Sequence, residues 1–222
     1  DSLVRGADKA ILLTDRRFAG ADTLATSYVL ASAIKKLGKV DMIFSGRQAI
    51  DGDTAQVGPQ TAEKLNIPQV GYLLDILDMN KNEIKAMRLV EGGKEVVKVK
   101  LPALFTVTDV ANEPRFPLAK RIAKYKKAMT KSELSKISDS LTYLDPSSYS
   151  EATLKEKELF IEEWSLDDIG ANPAFCGLAG SPTKVSKIEN VVLEISEARE
   201  FTPSEEGIRS LVHELIKEHI LG

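Results

Sequence analysis

Apolar positions along this chain recur with two periods. Ala10–Thr14 is a short apolar run fit for a buried parallel strand, and a polar loop follows over 15–21. Asp22 then stands as N-cap of a helix predicted through Leu37, with Leu30, Ile34 and Leu37 on one face and Gly38 closing it. Val40–Phe44 reads as a second buried strand, and Thr61–Leu65 as the body of a second helix. Strand, helix, strand, loop, helix is the pattern of right-handed βαβ units. It predicts an α/β fold with an open, mostly parallel sheet and flanking helices.

From Gln69 onward the texture changes. Val90-Glu91-Gly92-Gly93-Lys94-Glu95-Val96 reads as strand, Gly-Gly turn and strand, and Val97 and Val99 alternate with Lys98 and Lys100. Together with Gln69–Met79 this predicts an antiparallel hairpin laid on the α/β core. Ala103–Thr108 is a further strand. Pro117–Lys131 reads as a helix with Leu118, Ile122, Tyr125 and Met129 on one face and Lys120, Lys124, Lys127 and Lys131 on the next. That basic face is open to two readings, a solvated surface or a dock for an acidic partner. Ser132–Glu158 is polar and reads as a loop-rich insertion, Ser165–Pro182 as mostly irregular, and Lys187–Ile195 as extended. Thr202-Pro203-Ser204-Glu205 has capping-box spacing with Pro at the first helical position. Ile208, Leu211, Val212, Leu215 and Ile216 give that last helix one apolar face, which should pack on its own domain or on a partner. The predicted organisation is an α/β domain over 1–130 and 160–195, an insertion at 131–159 and a C-terminal arm with a helix at 196–222.

Candidate chemistry lies between the second strand and the second helix. Ser45 is followed by Gly46-Arg47-Gln48-Ala49-Ile50-Asp51-Gly52-Asp53-Thr54-Ala55-Gln56-Val57-Gly58-Pro59. Glycines at a strand end let backbone approach a ligand closely, and helix N-termini offer unpaired N–H groups to phosphates. The loop lacks both Gly-Lys-Ser/Thr and G-x-G-x-x-G, so it is neither a Walker A site nor the usual dinucleotide fingerprint. Backbone N–H groups and the Thr54 hydroxyl suit phosphate oxygens, Arg47 suits a diphosphate, and Gln48 and Gln56 offer donors and acceptors. Asp51 and Asp53 suit a helix cap or a ribose hydroxyl. A ligand-free βα turn with Asp53 as N-cap is the competing reading. Pro59 requires either that the helix begin there or that its first turn be distorted.

Composition narrows the classes. The chain has 222 residues, a net charge of −3, one Cys and two His. That charge gives no reason to expect nucleic-acid binding, and one Cys with two His makes neither a zinc site nor a disulfide framework within the chain. Cys176 reads as a small core or loop residue, compatible with a reducing, cytoplasmic compartment. His213 and His219 are six apart and fall on different helix faces, with His213 expected at the surface and His219 at the edge of the core. No apolar run approaches the roughly 20 residues of a membrane span, and no signal peptide is visible. The opening Asp1–Leu13 reads as the tail of a helix, a stop at Gly6 and a strand, which suggests upstream sequence. No catalytic triad or carboxylate pair stands out, so any hard chemistry is expected from a bound cofactor.

The Gly46–Gly58 block resembles the nucleotide-binding signature of electron-transfer flavoprotein β subunits. Gly6-Ala7-Asp8-Lys9-Ala10 is similar to that family's strand entry. Leu101-Pro102-Ala103 with Asn112-Glu113-Pro114-Arg115-Phe116, and Gly177-Leu178-Ala179-Gly180-Ser181-Pro182-Thr183, are similar to two later blocks. The resemblance implies an adenine-nucleotide-binding, Rossmann-like core and an α-subunit partner. Asp51-Gly52-Asp53-Thr54-Ala55-Gln56-Val57-Gly58-Pro59 looks like the flavin-bifurcating group. That group binds FAD at this site, takes electrons from NADH, and passes them to ferredoxin or flavodoxin and, through the α-subunit FAD, to an acyl-CoA dehydrogenase-type enzyme. By the same carry-over, Asp15, Thr23 and Thr26 are polar groups near the cofactor. The alternative is an ordinary β subunit holding structural AMP. The family's dehydrogenase-docking loop corresponds to Pro117–Ile122, with Pro117, Leu118, Ala119 and Ile122 as docking residues. Its Leu falls on Ala119 with Leu118 beside it, and the family lacks most of the segment from 130 to 160.

Overall fold

The computed structural model describes residues 1–140, 150–186, 200–218 and 220–221. The chain divides into two units, Asp1–Lys184 and Val185–Gly222. The first unit opens with α1 (Ser2–Arg5), stopped by Gly6 at φ 121, and β1 (Ile11–Leu13). A 3-10 turn at Arg16–Phe18 leads into α2 (Thr23–Leu37), then β2 (Met42–Gly46) and α3 (Val57–Leu65). β3 (Gln69–Met79), β4 (Glu83–Val90), β5 (Gly93–Lys100) and β6 (Ala103–Val107) follow. The rest is α4 (Ala119–Tyr125), β7 (Met129–Thr130), α5 (Lys131–Ser140), α6 (Glu151–Glu156) and β8 (Phe160–Trp164). The second unit holds α7 (Glu205–Lys217).

Two sheets result, of order β1-β8-β7 and β2-β6-β3-β4-β5. The first is parallel throughout. In the second, β2, β6 and β3 run parallel, while β3, β4 and β5 form the antiparallel part. β6 is the middle strand of the parallel part: Ala103, Leu104, Phe105 and Thr106 are all buried, as a strand covered on both faces requires. β3 serves both halves by bending. Its pairing with β6 shifts register between Val70 and Leu73, where Tyr72 takes φ 58 and its N–H donates to Thr106 Oγ1 at 3.0 Å. One core joins Val70, Leu73, Ile84, Ala86, Val99, Ala103 and Phe105 under the antiparallel strands. A second joins Val29 and Ala33 of α2 to Trp164, Leu166, Ile169, Ala171 and Cys176. Cys176 is buried, in line with the sequence reading.

The α/β class predicted from the pattern is the observed one, with several local differences. α3 starts at Val57 and not at Pro59. Pro59 is its third residue, where the missing N–H has no intrahelical partner to lose. The helix predicted over 117–131 is confined to α4, because Met129 N–H is drawn to Leu159 O at 2.9 Å and the chain pairs with β8. The segment read as a loop-rich insertion carries α5 and α6. Thr130 and Glu133 cap α5 reciprocally, with Thr130 N–H on Glu133 Oε2 at 2.9 Å and Glu133 N–H on Thr130 Oγ1 at 3.2 Å. Ser150 caps α6. Ser204, not Thr202, caps α7 by accepting Gly207 N–H at 3.1 Å, so Pro203 stands outside the helix. His213 is exposed, as are Ile208, Leu211, Val212 and Ile216 of α7. The extended reading of Lys187–Ile195 and the position of His219 lie outside the described residues.

Candidate functional site

The turn from β2 to α3 is held at both ends. Arg47 N–H donates to Val107 O at 3.0 Å and carries the β2–β6 pairing past the strand end. Asp53 N–H closes on Ala49 O at 3.1 Å, Gln48 donates to the Asp53 carboxylate, and Gly52 N–H donates to Asp51 Oδ1 at 2.8 Å. Asp53 and Ala55 both take left-handed backbone, at φ 48 and φ 53. Two such non-glycine residues in three mark a strained turn that its surroundings over-determine, a pattern concentrated at binding sites. Among the described residues, the backbone N–H groups of Thr54, Ala55, Gln56, Val57 and Gly58 have no hydrogen-bond acceptor. Such a run of free donors, ending in the first turn of a helix, can accept an anion.

A second helix start lies beside it. Thr23, the first residue of α2, donates to Gln56 Oε1 at 2.8 Å and accepts from Gln60 Nε2 at 3.4 Å, and Ser27 Oγ reaches Gln60 Oε1 at 3.2 Å. The positive ends of two helices are thereby tied together. Asp22 caps α2 through Ala25 N–H at 3.0 Å, and its other carboxylate oxygen accepts from Thr183 N–H and Oγ1. Its own N–H donates to Ser181 Oγ. Burial alone would raise the Asp22 pKa, but these bonds outweigh it and hold the carboxyl below the usual range.

At the carboxyl ends of β2 and β6 lies a cavity of about 420 Å³, lined by Gly46, Arg47, Gln48, Ile50, Asp53, Val107, Thr108 and Asp109. Ligands of open parallel sheets sit at this end of the strands. Ala49, Asp51, Gly52, Thr54 and Ala55 complete the turn, and Gln56 and Val57 begin α3. Thr23 is brought to the turn directly. No hydrogen bond joins the side chains of Asp15 or Thr26 to it among the described residues. Thr26 is half-buried, one helical turn beyond Asp22. Thr108 and Asp109 escaped the sequence reading because only the pairing of β6 with β2 brings them to the turn.

Asp15 is engaged elsewhere. It accepts from Arg17 Nε at 2.9 Å, Arg17 Nη2 at 2.6 Å, and the N–H groups of Arg17 and Leu166, while Arg17 also grips Asp167. The Arg17 guanidinium holds the Asp15 carboxyl far below its ordinary value of 3.8. A carboxyl depressed by folding contributes stability above its unfolded pKa and loses it as pH falls toward the folded one. Asp15→Asn is therefore expected to melt below the wild type at pH 7, with the gap closing as pH falls below 3.8. A gap that stays constant in thermal melts from pH 7 to pH 2 would contradict this role.

Pro117, Leu118, Ala119 and Ile122 are all exposed at the start of α4. Arg121, on the same helix, donates to Leu3 O and Ala7 O and ties α4 to the first turn of the chain.

The electron transfer flavoprotein domain model matches residues 1–138. Electron transfer flavoprotein subunit beta of Clostridium acetobutylicum is 39% identical over 221 residues, covering 100% of this chain and 73% of that protein. The chain belongs to the electron transfer flavoprotein family, with its β subunits. Subunit CarD of the caffeyl-CoA reductase-Etf complex of Acetobacterium woodii is 42% identical over 185 residues, covering 83% of this chain and 58% of CarD. Protein FixA of Rhizobium meliloti is 36% identical over 222 residues, covering 97% of this chain and 65% of FixA. Flavin association is the general property of the family. Among the described residues no helix is long and apolar enough to cross a membrane, and no cluster of His, Cys, Asp and Glu could hold a metal.

Proposed function

We propose that this electron transfer flavoprotein β subunit is of the bifurcating kind and holds FAD at the Gly46–Val57 turn. The observation that supports a nucleotide at this turn is the run of free N–H donors from Thr54 to Gly58, set beside the Thr23–Gln56 junction of two helix starts, while the likeness of Asp51–Pro59 to the bifurcating group favours FAD over AMP. Those donors and the Arg47 guanidinium receive the diphosphate, and Gly46, without a side chain, lets the ligand approach the strand end. Thr23 fixes Gln56 and so orients the first turn of α3. Asp15 acts one step away: by fixing the loop after β1 it sets where α2, with Thr23 and Thr26, begins. Bound here, FAD would supply hydride acceptance from NADH and release of electrons singly to ferredoxin or flavodoxin and, through an α-subunit FAD, to an acyl-CoA dehydrogenase-type enzyme. Pro117, Leu118, Ala119 and Ile122 are the proposed dock for that enzyme, their exposure leaving them free for it. The name of CarD, a subunit of a reductase-Etf complex, supports such a partner.

A second reading is structural AMP at the same turn, since the same N–H groups suit a single phosphate equally well. The test uses the full-length chain purified with its α partner under anaerobic conditions. NADH is expected to reduce ferredoxin only while the acyl-CoA-type acceptor is reduced as well. NADH oxidation that never reaches ferredoxin, with both acceptors present, would contradict bifurcation.

A further inference from the structure

We infer that Asp109 selects for ribonucleotides at this site by accepting the hydroxyls of a ribose diol. The inference rests on the nucleotide reading above. Three carboxylates surround the turn, and two are engaged within it: Asp51 accepts Gly52 N–H, and Asp53 accepts the Gln48 amide. Asp109 lines the same cavity, is exposed, and has no hydrogen bond or ion pair among the described residues.

The backbone just before it is anchored from two sides. Thr108 N–H and Thr108 Oγ1 both donate to Leu73 O, at 3.2 and 3.1 Å, and Val107 O accepts Arg47 N–H. A carboxylate two residues past a parallel strand, with the residues before it anchored and the cavity open to it, can accept two O–H groups from a vicinal diol. Acidic side chains at strand ends hold ribose in other open α/β sheets by the same chemistry. The charge also orients the ligand. A phosphate is repelled from Asp109 and drawn to Arg47 and the Thr54–Gly58 N–H groups, so the sugar falls on the Asp109 side.

The probes are AMP and 2′,3′-dideoxy-AMP, titrated by calorimetry into the nucleotide-stripped complex of the full-length chain with its α partner. Wild type is expected to prefer AMP by about tenfold or more, the range of hydrogen bonds to a charged acceptor. Asp109→Ala is expected to bring the two affinities within about threefold by weakening AMP alone. Asp109→Asn keeps the size and one acceptor and should fall between. A preference that survives intact in both variants would overturn the role of Asp109, as would a wild type that binds both probes equally. In either case the nucleotide site itself would stand. If wild type binds neither probe, nor FAD, the site reading fails and the inference with it.

Discussion

Gly177→Ala is expected to lower the melting temperature by about 6–12 °C, the shift that a loss of about 3 kcal/mol produces in a domain of this size. Gly177 has φ +51, and an added Cβ would lie 2.2 Å from Arg17 O and 2.9 Å from Ala19 O. Both obstacles are backbone, so neither can swing away as a side-chain tip would. The blocked atoms belong to the loop that Arg17 pins through Asp15 and Asp167. The same turn carries Ser181, whose Oγ donates to Gly177 O at 2.7 Å and accepts the N–H of Asp22, the cap of α2. Distortion there should therefore reach the helix start that holds Thr23, and bound nucleotide should fall along with stability. A variant with wild-type melting temperature would show that the loop yields freely.

Gly58→Ala is expected to separate binding from stability. An alanine Cβ at Gly58 would stand 2.7 Å from both Ser45 Oγ and Thr106 Cγ2; the Tyr72 N–H on Thr106 Oγ1 holds the Thr106 side chain in place, so the first turn of α3 is expected to lift from the sheet. Overpacking costs about 1–3 kcal/mol, while alanine gains nearly 1 kcal/mol of helix propensity over glycine, so net stability falls only modestly. The N–H groups of the displaced turn are those proposed to hold phosphate, and nucleotide affinity should fall by about tenfold or more, the loss of one charge-assisted bond. Ser45 offers the control. Its hydroxyl oxygen is buried without a hydrogen-bond partner among the described residues. Ser45→Ala should thus leave stability unchanged or raise it by up to about 1 kcal/mol. Combined with Gly58→Ala it removes one of the two obstacles and should restore part of the lost affinity. Undiminished nucleotide content in Gly58→Ala alone would argue against the turn as the phosphate site.

What was legible in the chain was local. β1, α2 and β2 announce themselves by apolar runs, by the Asp22 cap and by Gly38, because each signal sits within a few residues of what it controls. The Gly-Gly turn between β4 and β5 is of the same kind. β7 was not legible: two residues have no period, and only the distant strand β8 makes them a strand. The helical spacing through Tyr125 and Met129 was real in sequence but lost to that pairing. α5 did carry a signal, Thr130-x-x-Glu133, hidden inside a segment whose polarity suggested loop. The candidate site divides in the same way. The Gly46–Gly58 turn stands out by composition, and Thr23 came only through family resemblance. Asp109 depends on β6 lying between β2 and β3, an order that no local pattern reveals.

Whether FAD occupies the Gly46–Val57 turn is decided by denaturing the purified complex of the full-length chain with its α partner and quantifying the released nucleotides. FAD is expected at a stoichiometry that requires a site on each subunit, with no AMP. A single FAD accompanied by one AMP, or no nucleotide beyond the α-subunit FAD, would contradict it.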